Sequence, residues 1–163
     1  MHPTNGRKRA APMTRAAIAE ARAFASWQDY QDALIRAIAP LSDEQLRAQV
    51  IPGQRTPGQL AEHIVFGRAL HLRRTLGEQA AALAPLLAWE EGPPRSAAEI
   101  MRGLEQTWGV IAGLLMRGSP ADALGEEDAV AVQTIWGLLD HDLPHAGELS
   151  LLLGAAGWGE VEI

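Results

Sequence analysis

The sequence predicts an all-α protein, a four-helix bundle, and three observations carry that prediction. Strand signals are poor: the chain has many Ala and Leu, few β-branched runs, and among its aromatics five Trp, two Phe and one Tyr. Four long segments space their apolar residues by three and four, the period of a helix with one buried face. Most of these segments also open on a residue type that caps a helix and close on Gly or Pro. Helices of this kind, with no strands to cover, bury their apolar stripes against one another.

The first long helix is expected from about Thr14 to Ile38, with Phe24, Trp27, Leu34 and Ile38 on its apolar side, and Pro40 stops it. Ser42-Asp43-Glu44-Gln45 reads as a capping box, a serine N-cap with glutamine three residues on, so a short helix runs to about Ala48. After Pro52-Gly53, Thr56, Pro57 and Gln59 supply the N-cap, first and third positions of the second long helix. It should reach Leu76, with Gly77 as its stop and Leu60, His63, Gly67 and Leu70 as its inner stripe. Residues 78–95 are ambiguous: Ala80 to Leu87 could form a short helix, but Pro85 and Pro93-Pro94 argue for an irregular connection. That long connection allows a crossover between helices.

Ser96 and Glu99 form a further capping box and open the third long helix, whose stripe is Ile100, Leu104, Trp108, Ile111 and Leu115. Gly118-Ser119-Pro120 ends it. The fourth helix is expected from about Asp128 to Ala156, closed by Gly157, within a long apolar segment from Val130 to Ala156. Thr134, Leu138, His141, His145, Glu148 and Leu152 share one of its faces, while Leu139, Leu143, Ala146 and Leu153 make the opposite face apolar too. A helix apolar on both sides is deeply buried or shared with a second subunit, so a homodimer through this helix is an expectation, with Trp136 at the interface or in the core. Residues 1–12 read as a flexible tail and 13–163 as one helical-bundle domain, as expected for 163 residues.

Composition removes several classes of function. With 47% hydrophobic and 21% charged residues the chain is an ordinary globular sequence. Its formal charge of −6, with no basic stripe interleaved with aromatics, speaks against nucleic acid. The one basic cluster, Arg7-Lys8-Arg9, lies in the tail. The absence of cysteine removes disulfides, thiolate metal sites and a cysteine nucleophile. No apolar run approaches the ~18 residues of a membrane span and no signal-peptide pattern opens the chain, so no membrane partner and a cytoplasmic location are expected.

The chemistry rests on histidines. His141 and His145 are four apart, about 40° round a helix and about 6 Å along it, so one cation can bridge them. His63, from a facing helix, would complete a three-nitrogen site with open positions, the pattern of a catalytic metal. The competing reading is that each is a hydrogen-bonded core histidine, since buried imidazoles need partners for two ring nitrogens. The pair does not match the His-Glu-x-x-His signature of zinc proteases, because Asp142 follows His141. His71, about 12 Å further along the same helix than His63, is too far to join the set, and His2 lies in the tail. Arg68, Arg73 and Arg74 follow His63. Arg74 projects near its sector, where it would either meet an anionic substrate or simply be solvated. Asp140 is expected behind the site rather than as a ligand.

Two segments, Thr56-Pro57-Gly58-Gln59-Leu60-Ala61-Glu62-His63-Ile64 and His141-Asp142-Leu143-Pro144-His145-Ala146-Gly147-Glu148-Leu149, resemble the DinB/YfiT-like superfamily. There a first histidine follows a Ser/Thr-capped helix start, and His-x-x-x-His with a following Gly-Gln or Gly-Glu stands near the C-terminus. The resemblance runs from the first helix to about Gly157. It implies a four-helix bundle with His63, His141 and His145 holding a divalent ion, zinc or nickel. Glu148 stands where glutamine is common and, one turn past His145, could act as general base or accept a ligand N–H. The implied activity is transfer of a low-molecular-weight thiol or hydrolysis of a small-molecule substrate; the alternative is a non-catalytic stress-response bundle that binds metal or a small ligand without turnover. Pro144 departs from the family pattern. It removes the amide that would bond to the Asp140 carbonyl and is expected to kink the helix between two ligands, either misplacing them or freeing a carbonyl to orient an imidazole.

Overall fold

The helices form where the caps and apolar spacing place them. A computed structural model describes residues 15–117 and 126–162 and gives α1 (Arg15–Ile38), α2 (Asp43–Arg47), α3 (Pro57–Leu76), α4 (Ala97–Arg117) and α5 (Glu126–Ala156). The tail 1–12, Gly118-Ser119-Pro120 and the side chains of Phe24 and Val130 lie outside the described residues. Among the described residues there is no strand.

Both capping boxes ahead of the second long helix form as expected. Ser42 accepts from the Gln45 amide while Gln45 accepts from that of Ser42, and Thr56 and Gln59 repeat the exchange ahead of Pro57. Ser96 and Glu99 do the same for α4, and their hydrogen bonds hold the Glu99 carboxyl below its ordinary pKa. Gly157, at φ 71°, ends α5 in a Schellman motif: Trp158 N–H donates to the Leu153 carbonyl and Gly157 N–H to that of Gly154.

The ambiguous connection is resolved as a 3₁₀ helix, Gly77–Ala88. Its buried residues are Ala80, Leu83 and Leu86, one every three positions. The backbone kinks at Ala80, and beyond it Leu83 and Leu86, one three-residue turn apart, form an apolar edge; the segment packs on α3. Pro85 sits on the outer side, exposed, where its missing amide costs little.

In the bundle α3 packs on α5, on α4, on the 3₁₀ segment and on α2, while α1 packs on α4. Among the described residues the consecutive long helices α1 and α3 are therefore not principal neighbours, whereas α3 and α4, joined by the 78–95 connection, pack together. Trp27 stacks on Trp108 at 6.3 Å and meets Tyr30 edge-on at 6.4 Å, joining α1 to α4. Covered from so many directions, α3 is buried nearly all round and not only along the stripe expected through His63. Ala61, Ile64, Val65, Ala69 and Leu72 are as buried as Leu60.

The same enclosure takes Arg68, one turn past the His63 stripe, out of water. Arg68 is 0% exposed, and its partner Asp142 on α5 is also 0% exposed. Arg68 Nε donates to Asp142 Oδ2 at 2.6 Å and Nη1 to Gln31 Oε1 of α1 at 2.7 Å. Tyr30 Oη donates to the Asp142 carbonyl at 3.1 Å. Burial, and then the Asp142 charge, push the Tyr30 phenol well up, so it stays a donor. One group of charges thus ties α1, α3 and α5 together in the core.

Removing one member of such a pair strands the other. Arg68→Met should cost about 3–5 kcal/mol of unfolding free energy, read from urea denaturation, with the Arg68→Met/Asp142→Leu double variant recovering much of it. A cost below about 1 kcal/mol for the single variant would mean the pair is not buried in solution.

Candidate metal centre

The seam between α3 and α5 builds the site. His63 lies against His145, a Cβ added at Gly67 would overlap the His141 ring, and one at Gly137 would overlap the His71 ring. Each step of four forward on α3 is four back on α5, so the helices run antiparallel in a fixed register. Gly67, placed in the inner stripe by the sequence pattern, is the cradle in which the His141 imidazole sits.

His63, His141 and His145 converge. A nitrogen of each lies within 4.8 Å of the others, and their ring centroids are 4.7–5.3 Å apart. The side chains are 18%, 26% and 20% exposed, so the cluster is partly screened but open to small molecules. Pro144 does not separate the pair: α5 continues through it and both imidazoles face His63.

Each imidazole has a carboxylate behind it. His141 Nδ1 is 3.2 Å from Asp142 Oδ1, and His145 Nδ1 is 3.0 Å from Glu148 Oε2. His63 Nδ1 is 3.3 Å from Glu90 Oε1, off the line of a hydrogen bond and otherwise unpaired in a buried position. A carboxylate oxygen only accepts, so the ring protons of His141 and His145 belong on Nδ1, leaving Nε2 with its lone pair. Burial, then the charges of Arg55, His145 and His141, hold His63 below its ordinary pKa, with Glu90 opposing. Neutral rings with free Nε2 atoms are what a divalent ion needs, and the residues present fit one.

Asp142 is the residue that sequence reasoning missed. One oxygen takes Arg68 and the other faces His141, so the buried pair also orients a candidate ligand. Asp140, expected in this supporting role, is exposed, and its side chain has no hydrogen bond among the described residues. Glu90 was missed as well; it arrives from the loop after the 3₁₀ segment. That loop is anchored where Arg95 N–H donates to Glu62 Oε1 at 2.8 Å, and burial raises the pKa of Glu62. Arg74 is exposed, and Trp136 is 68% exposed rather than in the core. His71 stays outside the cluster. It bonds to the Thr134 backbone, its Nε2 is buried without a partner, and burial lowers its pKa.

A helical bundle with three convergent imidazoles on one seam fits the class of metal-binding four-helix proteins. The sequence profile of the DinB superfamily matches residues 26–148, and the chain belongs to that superfamily. No curated protein and no solved structure matches the chain significantly. Among the described residues no helix is long and apolar enough to cross a membrane.

The cradle can be tested directly. Gly67→Ala should fold but displace the His141 ring, weakening zinc affinity by roughly tenfold or more in a competition titration, the scale of losing ligand orientation. Unchanged affinity would show that His141 need not occupy the cradle to bind.

Proposed function

We propose that His63, His141 and His145 hold one divalent ion, zinc or nickel, and that the protein uses it on a small-molecule substrate. The reaction is transfer of a low-molecular-weight thiol or hydrolysis. The observation that carries this reading is the convergence of three imidazoles on one point, each backed by a carboxylate. Bound there, such an ion would lower the pKa of a thiol or water and so supply a nucleophile near neutral pH. The chain contributes the rest. Three neutral ligands leave the ion's positive charge intact, and no cysteine competes with a substrate thiol. Glu148 is the candidate general base. It is largely exposed, and only its Oε2 is engaged by His145, so Oε1 is available to take a proton from a substrate.

The same reading includes a cytoplasmic homodimer. Ala146 and Leu153 of the face expected at the interface are buried in this chain's own core, but Trp136 and Leu143, seven residues apart on α5 with Asp140 between them, stay exposed and support self-association. Light scattering should then give twice the monomer mass for the wild type and the monomer mass for Trp136→Asp; a wild-type monomer at micromolar concentration contradicts the dimer.

Elemental analysis of untagged protein tests the metal. About one divalent ion per chain is expected in the wild type and none in His141→Ala/His145→Ala. A wild type that carries none and takes up neither added zinc nor nickel sinks the proposal. His63→Ala separates roles: lost metal with intact folding marks a working site, and lost folding a structural one.

A further inference from the structure

Between the loop preceding α3 and the C-terminal half of α5 lies an open cleft of about 470 Å³; none of the three histidines lines it, and Glu148 on its wall is the residue that reaches the cluster. Its walls are mostly apolar, from Ile51, Leu60, Leu151 and Leu152, and two charged side chains line it, Arg55 and Glu148. Glu148 links the cleft to the cluster, because the carboxylate that lines it also receives His145 Nδ1 at 3.0 Å. Arg55 is close enough to the cluster for its charge to help hold the His63 pKa down. The two charges differ in availability. Glu148 is engaged by His145 through Oε2, whereas Arg55 is exposed and has no hydrogen bond or ion pair among the described residues.

We propose that this cleft admits the substrate to the three-histidine site and that Arg55 selects there for a small molecule with an apolar body and a terminal carboxylate. The inference rests on the metal-centre reading above and adds the substrate class to it. Apolar walls favour transfer of an apolar body out of water. An unpaired guanidinium offers the planar pair of donors that a carboxylate matches with two parallel hydrogen bonds. One cation beside one anion suits a singly charged group. A phosphate dianion would leave a charge unmatched next to Glu148, which disfavours it. Arg55 therefore determines specificity, and Glu148 faces the part of the bound molecule nearest the histidines.

Hexanoate and its uncharged counterpart hexanamide are suitable probes, titrated into the full chain while leucine and isoleucine methyl resonances are followed by NMR. The titration is run on protein as purified and again after removal of metal with a chelator. Hexanoate should shift Ile51, Leu60, Leu151 and Leu152 in both preparations, and bind more tightly than hexanamide. Arg55→Gln should weaken hexanoate by roughly tenfold while leaving hexanamide unchanged, with Arg55→Lys intermediate. Equal binding of the two probes, or no effect of Arg55→Gln, overturns the role of Arg55. Shifts that map elsewhere overturn the cleft. Hexanoate binding that vanishes with the metal would place the carboxylate on the ion and also overturn the proposal. Because the metal-free arm needs no ion, failure of the metal-centre reading would show in elemental analysis and not in this titration.

Discussion

Arg68 and Asp142 are both removed from water, and the geometry of the site depends on their being paired. A lone buried charge costs several kcal/mol, so α3 and α5 are held to the one register in which the guanidinium meets the carboxylate. That register sets His63 opposite His145 and Gly67 opposite His141. The second Asp142 oxygen faces His141, so the group that locks the helices also turns a candidate ligand. Gln31 and Tyr30 extend the lock to α1.

Around this seam the remaining elements serve the other two imidazoles. The 3₁₀ segment packs on α3, and the loop that follows presents Glu90 to His63. α5 supplies Glu148 one turn beyond His145. Packing on one side and partial exposure on the other leave the three imidazoles held yet accessible, the combination the proposed metal site requires. Pro144 is tolerated between two ligands because the amide it lacks would have served the carbonyl of Asp140, on the exposed side of α5.

Much of this was legible from residue types and spacing. Capping boxes at Ser42, Thr56 and Ser96 are local physics and gave the helix starts within a residue. The three histidines followed from helical spacing and family resemblance. The buried pair was not read, although a signal was present. Arg68 stands three and four residues from Ile64, Val65 and Leu72, and Asp142 four from Leu138 and Ala146, so each occupies a core register. A charge in a core register on each of two facing helices implies a partner. Reading α3 as a one-faced surface helix hid it, because single-helix periodicity does not reveal how many neighbours will cover a helix. The three-residue spacing of Leu83 and Leu86 likewise pointed to a 3₁₀ turn, obscured by Pro85. Glu90 comes from a loop, and no local pattern announces which distant side chain a loop residue will meet.

The central claim is that the three imidazoles, two of them hydrogen-bonded to a carboxylate behind the ring, share one ion. X-ray absorption of the zinc-loaded protein tests it most directly. The account predicts three imidazole nitrogens at about 2.0–2.1 Å with the remaining coordination from oxygen, falling to two in His63→Ala. A spectrum showing only oxygen ligands, or an imidazole count unaffected by His63→Ala, would contradict it.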